Sequence, residues 1–317
     1  NGDFSISDAV AGNDRLLVLS YGYKDWMQDV IISANVVENV GTIKLVGIAS
    51  GSNDADDLIA SESQIEDEEG NSQSIATLSG ANDNIFYQAA SYDFSLMRFR
   101  VRGYDSEYTQ TMINGIVFND PARGRFNYSM MGGMNQAFKN KSIGMGLEAT
   151  SYGFGDVGGT NNIVTFARDY APGTRASVAY TNSNYYLRGM LTHATGLRKN
   201  GWALTMSAVA RYSNEGIVPG SFYNSWGYFI SAQKVFNPQH SLSITTFGAP
   251  TKRAANTATF QEAYDLTGDN LYNPSWGWQE GEKRNAKVVE SFDPTAIVNW
   301  IWTPKAGVTL NTGVAVR

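Results

Sequence analysis

The sequence predicts a mostly β protein that contains part of a β-sandwich, a mixed α/β segment and the first strands, about seven, of a large antiparallel transmembrane β-barrel. Three observations support this fold class. Charged residues make up only 17% of the chain while glycines number 32 and aromatics reach 12%, a balance typical of strands joined by turns. After residue 171, apolar and polar side chains alternate with a period of two. The connections between these stretches differ greatly in length.

Composition also excludes several classes of protein. The chain has no cysteine, so disulfides and thiolate metal sites are excluded. Its formal charge of -6 argues against nucleic acid as the main partner, because phosphate binding needs a basic face. No uncharged apolar run is long enough for a transmembrane helix. A membrane-spanning β-strand, in contrast, needs only about 10 residues.

Residues 1–48 predict four short strands in what we interpret as the C-terminal part of a larger β-sandwich, because a segment this short makes a poor core of its own. The strands are Asp3–Ser7, Arg15–Ser20, Gln28–Ser33 and Gly41–Val46. The chain starts at Asn1 without a methionine or a signal peptide. Since an exported protein carries a targeting segment, we expect further residues before Asn1.

Residues 49–70 form an acidic, polar run that predicts a flexible linker, because such a segment buries little apolar surface. Its carboxylates are Asp54, Asp56, Asp57, Glu62, Glu66, Asp67, Glu68 and Glu69. A calcium site is the alternative, since carboxylates are hard oxygen ligands, but their spacing does not match an EF-hand loop. We therefore predict no metal site.

The stretch from Trp202 to Tyr212 shows the alternation most clearly. One parity carries Trp202, Leu204, Met206, Ala208, Ala210 and Tyr212, and the other carries Ala203, Thr205, Ser207, Val209 and Arg211. Successive side chains of a strand point to opposite faces, so this strand has an apolar face with an aromatic at each end and a mostly polar or small face. Lipid outside and a filled lumen inside would produce that pattern, with aromatic girdles at both membrane interfaces.

Six further stretches after residue 171 repeat this pattern. They are Ala176–Tyr180, Tyr185–His193, Trp226–Phe236, His240–Gly248, Ala296–Trp302 and Val308–Val316. Lys234 interrupts one apolar face near a strand end, where its stem can snorkel to the interface. Bacterial barrels close with even strand numbers, so seven strands predict an incomplete barrel that continues beyond Arg317.

The connections divide into two sets. Thr195–Gly201, Asn237–Gln239 and Thr303–Gly307 are short, whereas Asn214–Ser221 is longer and Ala249–Asp293 is predicted as one long loop. Short periplasmic turns and long extracellular loops are typical of outer-membrane barrels. The short connection at Ser183-Asn184 is the exception. A soluble antiparallel sandwich also alternates and stays open as an alternative at this point.

Residues 71–170 form a glycine-rich segment with short strands at Met97–Arg102 and Thr111–Val117. Arg98, Arg100 and Arg102 share one face of the first. This face is either a salt-bridged structural surface or a positive stripe directed at a wet lumen or an acidic wall. A tight corner, dense in glycine, spans residues 152–163, and it lacks the spacing of a phosphate-binding loop.

Taken in order, three motifs make this segment resemble the plug of TonB-dependent outer-membrane receptors. They are Arg102-Gly103, then Ile113 to Asp120 with its Asn-Gly pair, then Tyr152-Gly153 followed by Gly158-Gly159-Thr160-Asn161-Asn162-Ile163. Asn1 to Lys24 is similar to the second half of the carboxypeptidase-regulatory-like domain that Bacteroidetes members carry ahead of the plug. Met112-Ile113-Asn114-Gly115 differs from the corresponding strand of SusC-like glycan importers, so polysaccharide import is not indicated.

The resemblance implies an energy-coupled transporter in the bacterial outer membrane, surrounded by lipid. Residues 71–170 would fill the lumen, and the linker would pass the pull of periplasmic TonB, with its inner-membrane energising complex, to this plug. A surface lipoprotein is left open as a further partner, and the substrate is not indicated. Two alternatives remain: a plugged-barrel scaffold in a surface or secretion complex, and a soluble β-rich binding module.

Candidate substrate-binding residues lie in two regions. Asn119, Asp120, Arg123 and Arg125 occupy a turn-rich stretch at the expected plug apex, and Tyr272, Trp276 and Trp278 lie in the long loop. The alternative for the loop aromatics is loop packing or the aromatic girdle. Candidate structural or gating residues of the plug are Arg98, Arg100, Arg102, Gly103, Gly158 and Gly159.

No enzymatic activity and no cofactor are predicted. The chain has two histidines, His193 and His240, both in predicted strands, which is too few for a site of several imidazoles. It also lacks the G-x-S-x-G nucleophile elbow.

Overall fold

The computed structural model describes residues 4–6, 10–18, 26–34, 36–45, 73–74, 98–99, 104–134, 136–138, 140–144, 146–180, 185–254, 257, 259–305 and 307–317. These residues are mostly β-strand, which confirms the predicted fold class. Among them, no helix has the length and apolar character needed to cross a membrane.

The largest unit is an antiparallel sheet, called the wall below, in which each strand pairs with its neighbour along the chain. Its strands are β9 (Gly173–Tyr180), β10 (Leu187–Ala194), β11 (Trp202–Ser213), β12 (Tyr223–Asn237), β13 (His240–Gly248), β18 (Thr295–Lys305) and β19 (Val308–Val316). All seven strands predicted from the alternation are confirmed. The turns after β10, β12 and β18 meet at one end of the wall, the short-turn end, and the opposite end is the long-loop end.

The buried face of the wall carries many polar side chains beside an apolar cluster, and its exposed face is largely apolar. Gln233 and Ser231 are completely buried, while Trp226 and Val314 on the opposite face are 55% and 65% exposed. Along β11, every residue of the predicted polar parity is buried. Soluble proteins show the reverse distribution, with apolar side chains inside. The exposed apolar face therefore matches a lipid-facing surface.

Aromatic side chains border this exposed face at both ends. Tyr180, Tyr212, Trp226 and Tyr228 lie toward the long-loop end, and Trp202, Phe236, Trp300 and Trp302 lie toward the short-turn end. Trp202 and Tyr212 are ten residues apart, about 33 Å along the strand and about 25 Å along the barrel axis after a tilt of about 40°. That height equals the apolar band of an outer-membrane barrel. Lys234 reaches the short turn, where its Nζ donates to the Asn200 carbonyl at 2.7 Å.

Residues 104–172, called the plug below, pack against the polar face of the wall. Their four-stranded sheet has the order β6 (Ile116–Val117), β5 (Gln110–Ile113), β8 (Thr160–Ile163) and β7 (Lys141–Gly144), with β5 and β8 parallel. The described helical parts are short 3-10 helices at Ser106–Tyr108, Tyr128–Met131 and Ala167–Asp169. The predicted Asn-Gly turn connects β5 and β6, and both Asn114 and Gly115 have a positive φ, as this turn type requires.

A shared apolar cluster joins the plug to the wall. The ring of Phe138 in the plug lies edge-on to Phe229 and Phe247 of the wall, with centroid distances of 5.3 and 5.1 Å. Met134 and Ile163 of the plug are fully buried in the same cluster. The plug therefore has no complete core of its own, because the wall supplies part of it.

The N-terminal residues form one antiparallel hairpin of β1 (Gly12–Val18) and β2 (Trp26–Ile32). The guanidinium of Arg15 donates to the carbonyls of Thr303 and Pro304, each at 3.0 Å, so the hairpin lies at the short-turn end. The predicted strands at Asp3–Ser7 and Gly41–Val46 are wrong over their described parts, residues 4–6 and 41–45. Among the described residues, neither part has a neighbouring strand with which to form the backbone hydrogen bonds of a sheet.

Two other predictions fall mainly outside the described residues. The acidic linker at residues 49–70 lies outside them, as do Arg100, Arg102 and Gly103. Arg98 belongs to β4 (Arg98–Phe99), which pairs with β3 (Gln73–Ser74), so a short strand at this position is confirmed.

The prediction of a single loop from Ala249 to Asp293 is wrong. β14 (Thr251–Ala254) and β17 (Val288–Ser291) pair with each other and continue the sheet past the long-loop end, and between them lie α1 (Gln261–Thr267) and the hairpin of β15 (Trp276–Gln279) and β16 (Glu282–Asn285). These strands are short and largely exposed, so they lack the long alternation of apolar and polar residues that identifies the wall.

Candidate functional site

The candidate site is the long-loop end of the wall, where the outer connections and one turn of the plug come together. The plug turn spans residues 119–127. Asn127 at its end donates from Nδ2 to Asp293, just before β18, at 3.4 Å. Asp293 also accepts from Arg317, directly after β19, at 3.0 Å. The expected apex residues therefore lie at the end of the wall opposite the N-terminal hairpin.

The side chains of Asn119 and Asp120 build this turn. Asn119 accepts from the Thr111 amide at 2.7 Å and donates to the carbonyls of Thr109 and Gly124. Its amide group is therefore occupied by the plug backbone, and this bonding is a physical reason for an asparagine at the position. A direct contact of Asn119 with substrate remains a prediction.

The Asp120 carboxylate accepts from the Arg123 and Ala122 amides at 3.0 and 2.9 Å. These backbone hydrogen bonds, with Arg123 the larger cause, lower the pKa of Asp120, and the positive charge of Arg317 lowers it further. Arg123 is exposed on the turn, whereas Arg125 is half-buried and has interactions of its own. Of these four residues, only Arg123 is exposed.

The outer connections are tied to one another by polar contacts. Lys283 of β16 forms an ion pair with Glu215 in the connection between β11 and β12. Glu215 also accepts from the Gly220 amide at 2.7 Å. The Lys283 contact is the largest cause of the lowered pKa of Glu215. Asn285 donates to the Gly220 carbonyl at 2.9 Å, so the two connections form one structured rim.

The predicted loop aromatics divide between packing and exposure. Trp276 packs against Gly220, where an added Cβ would lie 2.2 Å from the Trp276 Cβ, and Nζ of Lys283 lies 4.3 Å from the Trp276 ring centroid. Trp276 thus makes packing contacts, and its role as a ligand contact remains a prediction. Trp278 is 70% exposed, and Tyr272 is half-buried. Their role as ligand contacts remains a prediction.

An open cleft of about 670 Å³ lies beside this rim. It is lined by Tyr186, Leu187, Tyr212, Lys283 and the connection from Ser213 to Pro219. Leu187 and Tyr212 belong to the exposed face of the wall, so the cleft opens at the height of the upper aromatic girdle. It lies outside the lumen.

Two buried arginines inside the wall were not predicted as site residues. Arg188 of β10 and Arg211 of β11 are direct cross-strand partners, and both are almost completely buried. Arg188 donates to the Gly133 carbonyl of the plug. The guanidinium carbon of Arg211 lies 5.7 Å from the ring centroid of Tyr185 and 5.0 Å from that of Tyr223. The sequence signal was present, because the inward parity of β11 already contained Arg211.

Asn114 at the tip of the β5–β6 turn is a second contact that sequence reasoning did not single out. Its side chain donates to Thr165 of the plug at 2.9 Å and to Asn299 of the wall at 3.2 Å. Its carbonyl accepts from Asn299 and Asn311 at 3.3 and 2.9 Å. The turn therefore contacts side chains of β18 and β19 through hydrogen bonds, and Ile116 directly after it packs against the shared apolar cluster.

The glycine corner of the plug has a packing role. An added Cβ at Gly158 would lie 2.7 Å from the Tyr108 carbonyl, and one at Gly159 would lie 2.7 Å from the Gly144 carbonyl. Gly159 also has a φ of +109°, which favours glycine. At both positions a larger side chain would clash with the plug backbone, which is a structural reason for glycine. A gating role for the two glycines remains a prediction.

Three solved structures align with part of this chain. The open form of the ferric-catecholate import receptor Fiu from E. coli K12 is 13% identical over 69% of this chain and 32% of that chain, with a TM-score of 0.47. The unliganded ferric citrate transporter FecA is 12% identical over 68% and 31%, with a TM-score of 0.47. The ferripyoverdine receptor of the outer membrane of Pseudomonas aeruginosa is 12% identical over 66% and 27%, with a TM-score of 0.42.

This chain spans less than a third of the length of each of these receptors. No family model matches the chain, and no curated protein matches it in sequence. At these TM-scores and identities the likeness defines no family, so the functional argument depends on the residues of the chain itself.

Proposed function

We propose that this chain forms the plug and part of the wall of an outer-membrane transporter, which takes up a solute through a β-barrel gated from the periplasm by TonB. One observation carries the proposal. The wall buries hydroxyl, amide and guanidinium groups against the plug and exposes an apolar face bordered by aromatics at both ends. A lumen filled by a folded segment and an outer surface in lipid account for both faces.

The contacts of the plug indicate how such a gate would work. Polar contacts dominate several parts of its boundary, including the hydrogen bonds from Ser231 and Thr205 of the wall to the carbonyls of Thr165 and Ala167. Water can replace such bonds when the plug moves, so each costs only about 1 kcal/mol net. A pull on the plug from the periplasmic side would therefore open a hydrated path along the wall.

The finer parts of the proposal rest on the resemblance and on the position of the N-terminal hairpin. Arg15 attaches the hairpin to the short-turn end, where a periplasmic regulatory-like domain of the Bacteroidetes type would lie. The chain between the hairpin and the plug would carry the TonB contact and transmit force from the inner-membrane energising complex. A surface lipoprotein at the rim is a further possible partner, and the activity is transport rather than catalysis.

Membrane placement is tested with the full-length protein. After cell fractionation it should sediment with outer membranes, resist washing with alkali and dissolve only in detergent. Reconstituted into brominated lipid, Trp226 and Trp300 should be quenched, whereas Trp278 in the outer loop should not. Each tryptophan is examined by replacing it with phenylalanine and measuring the quenching that is lost. A protein that stays in the supernatant without detergent, or a Trp226 that brominated lipid does not quench, would contradict the proposal.

Energy coupling is tested by deleting residues 43–61, which lie between the hairpin and the plug. The shortened protein should still reach the outer membrane and keep its plug, but should no longer support growth on, or uptake of, whichever solute the intact protein imports. A scaffold function predicts the opposite result. In that case the deletion would leave assembly of the surface complex unchanged and no solute uptake would depend on residues 43–61.

A further inference from the structure

The charged groups on the buried face of the wall have one sign. None of its seven strands contains an aspartate or a glutamate. The inward parity carries Arg175, Arg188 and Arg211, and Arg317 follows directly after β19. The wall strands also contain Lys234, which belongs to the exposed face, and Lys305, which ends β18 opposite Val308. The described part of the wall would therefore line an opened path with positive charge.

Arg188 and Arg211 concentrate this charge at one point. They are cross-strand neighbours on β10 and β11, and like charges placed directly opposite are unfavourable in a sheet. Both are buried, at 1% and 2% exposure, and burial of a guanidinium is costly unless hydrogen bonds or charges compensate it. Two buried arginines placed opposite each other therefore point to a binding site or another function.

The surroundings of Arg211 supply further hydrogen-bond donors. Its Nη2 donates to Ser225 at 3.3 Å, its guanidinium carbon lies 5.0 Å from the centroid of the Tyr223 ring, and Nε has no acceptor within the described residues. The hydroxyl of Tyr223, a residue only 2% exposed, likewise has no partner there. Buried donors are normally satisfied, so two such atoms on neighbouring side chains indicate a missing acceptor.

The plug covers this cluster in the closed state. Arg188 donates to the Gly133 carbonyl, and an added Cβ at Gly133 would lie only 3.4 Å from Nη1 of Arg211. The plug backbone at Gly133 therefore lies against the Arg211 guanidinium. When the plug moves, Arg188 loses that carbonyl and the pair becomes accessible from the lumen.

We propose that Arg188, Arg211 and Tyr223 form an oxyanion-binding site in the wall, which holds a carboxylate or phosphate group of the transported solute once the plug has moved. Planar guanidinium groups match carboxylate and phosphate in geometry. The inference rests on the proposed transport function and deepens it, because it assigns the solute to the class of acids rather than cations.

The test uses single-cysteine variants of the full-length protein in detergent, in a background without other reactive cysteines, with the plug displaced by urea. Ser225→Cys reports on the cluster, and Ser243→Cys on β13 is a control on the same buried face. The rates of modification by a negatively and a positively charged methanethiosulfonate are compared. We expect the ratio of negative to positive reagent to be about tenfold higher at position 225 than at position 243.

Binding itself is measured by competition. Inorganic phosphate and, separately, citrate at millimolar concentration should slow the negative reagent severalfold at position 225, relative to chloride at equal ionic strength, and not at position 243. Arg211→Gln and Arg188→Gln, alone and together, should abolish the slowing, while Lys234→Gln on the lipid face should leave it unchanged. Heat-modifiable migration on gels shows that each variant keeps its barrel.

Three results are informative. Slowing by phosphate alone or by citrate alone supports the site and identifies the preferred oxyanion. No slowing by either anion overturns the inference, and the arginines then only hold the plug in place. If position 225 stays unreactive in urea although the barrel persists, the plug does not leave the lumen, and the proposed gate fails together with the inference that rests on it.

Discussion

Replacing Phe138 with alanine should release the plug at much lower urea concentration than the wild-type protein requires. Phe138 is 3% exposed and lies edge-on to Phe229 and Phe247. Removal of a buried phenylalanine ring costs about 3–5 kcal/mol, and each lost aromatic pair accounts for about 0.5–1.5 kcal/mol of that loss. With an m-value of about 2 kcal/mol per M urea, the midpoint of plug release should fall by about 2 M.

Release is measured with the full-length protein in planar bilayers, as the urea concentration at which ion conductance appears. Phe154→Ala is the matched control, because Phe154 belongs to the same plug but is 78% exposed. Exposed substitutions change stability by about 0.5 kcal/mol or less, so its midpoint should remain close to wild type. The reasoning is refuted if Phe138→Ala and Phe154→Ala open at the same urea concentration.

A double-mutant cycle separates the aromatic contact from a general loss of core volume. Phe138→Ala and Phe247→Ala should be non-additive, with a coupling of about 1 kcal/mol, because the two rings form one pair. Additive midpoints would show that the rings do not interact across the plug–wall boundary. Either outcome is independent of the proposed transport function.

The remaining predictions concern a close contact of the plug backbone, the exposed apolar face of the wall and the rim. Gly132→Ala should lower the urea midpoint of plug release, because an added Cβ would lie 2.4 Å from the Cβ of Ala249, directly after β13. Gly268→Ala is the control: Gly268 has a similar φ, but no atom lies within 4 Å of an added Cβ, so the midpoint should not change. Ile230→Arg, midway along the exposed face of β12, should destabilise the barrel in lipid by about 2–4 kcal/mol, and Asn224→Arg at the rim by about 1 kcal/mol or less; equal effects would argue against a bilayer there. The lowered pKa of Glu215 means that its ion pair stabilises the rim above the ordinary carboxyl pKa and is lost as pH falls through the lowered value. Protease cleavage of the outer connections should therefore accelerate in acid, and Glu215→Gln should remove that pH dependence.

The wall was predictable from sequence because its two environments act on every residue. In the proposed arrangement, lipid contacts one face of each strand and the plug contacts the other, so the polarity of each position in a stretch such as Trp202–Tyr212 indicates the face on which it lies. A single strand contains enough positions to average out exceptions such as Lys234. Strand number and order followed from the same pattern, since sequential antiparallel strands joined by short turns are neighbours.

The plug was less predictable because its contacts join residues far apart in the chain. Asn114-Gly115 indicates a turn, and the structure confirms it, but no local pattern shows that the turn binds Asn299 and Asn311 of the wall. Similarly, the polar composition of the apex suggested ligand contacts. Asn119 instead uses its amide to close the turn, a role common for asparagine in turns.

The arginine pair shows that the sequence predicts the face on which a residue lies but not its cross-strand partner. The alternation places Arg188 and Arg211 on the inward face, because each shares the parity of the polar side chains of its strand. It does not place them opposite each other, because that depends on the register between β10 and β11, which is set by the turn at residues 195–201. A shift of two residues would preserve every inside–outside assignment and still separate the two charges. A concentrated anion site in a wall of this kind therefore depends on register, whereas the charge of the lumen depends on parity alone.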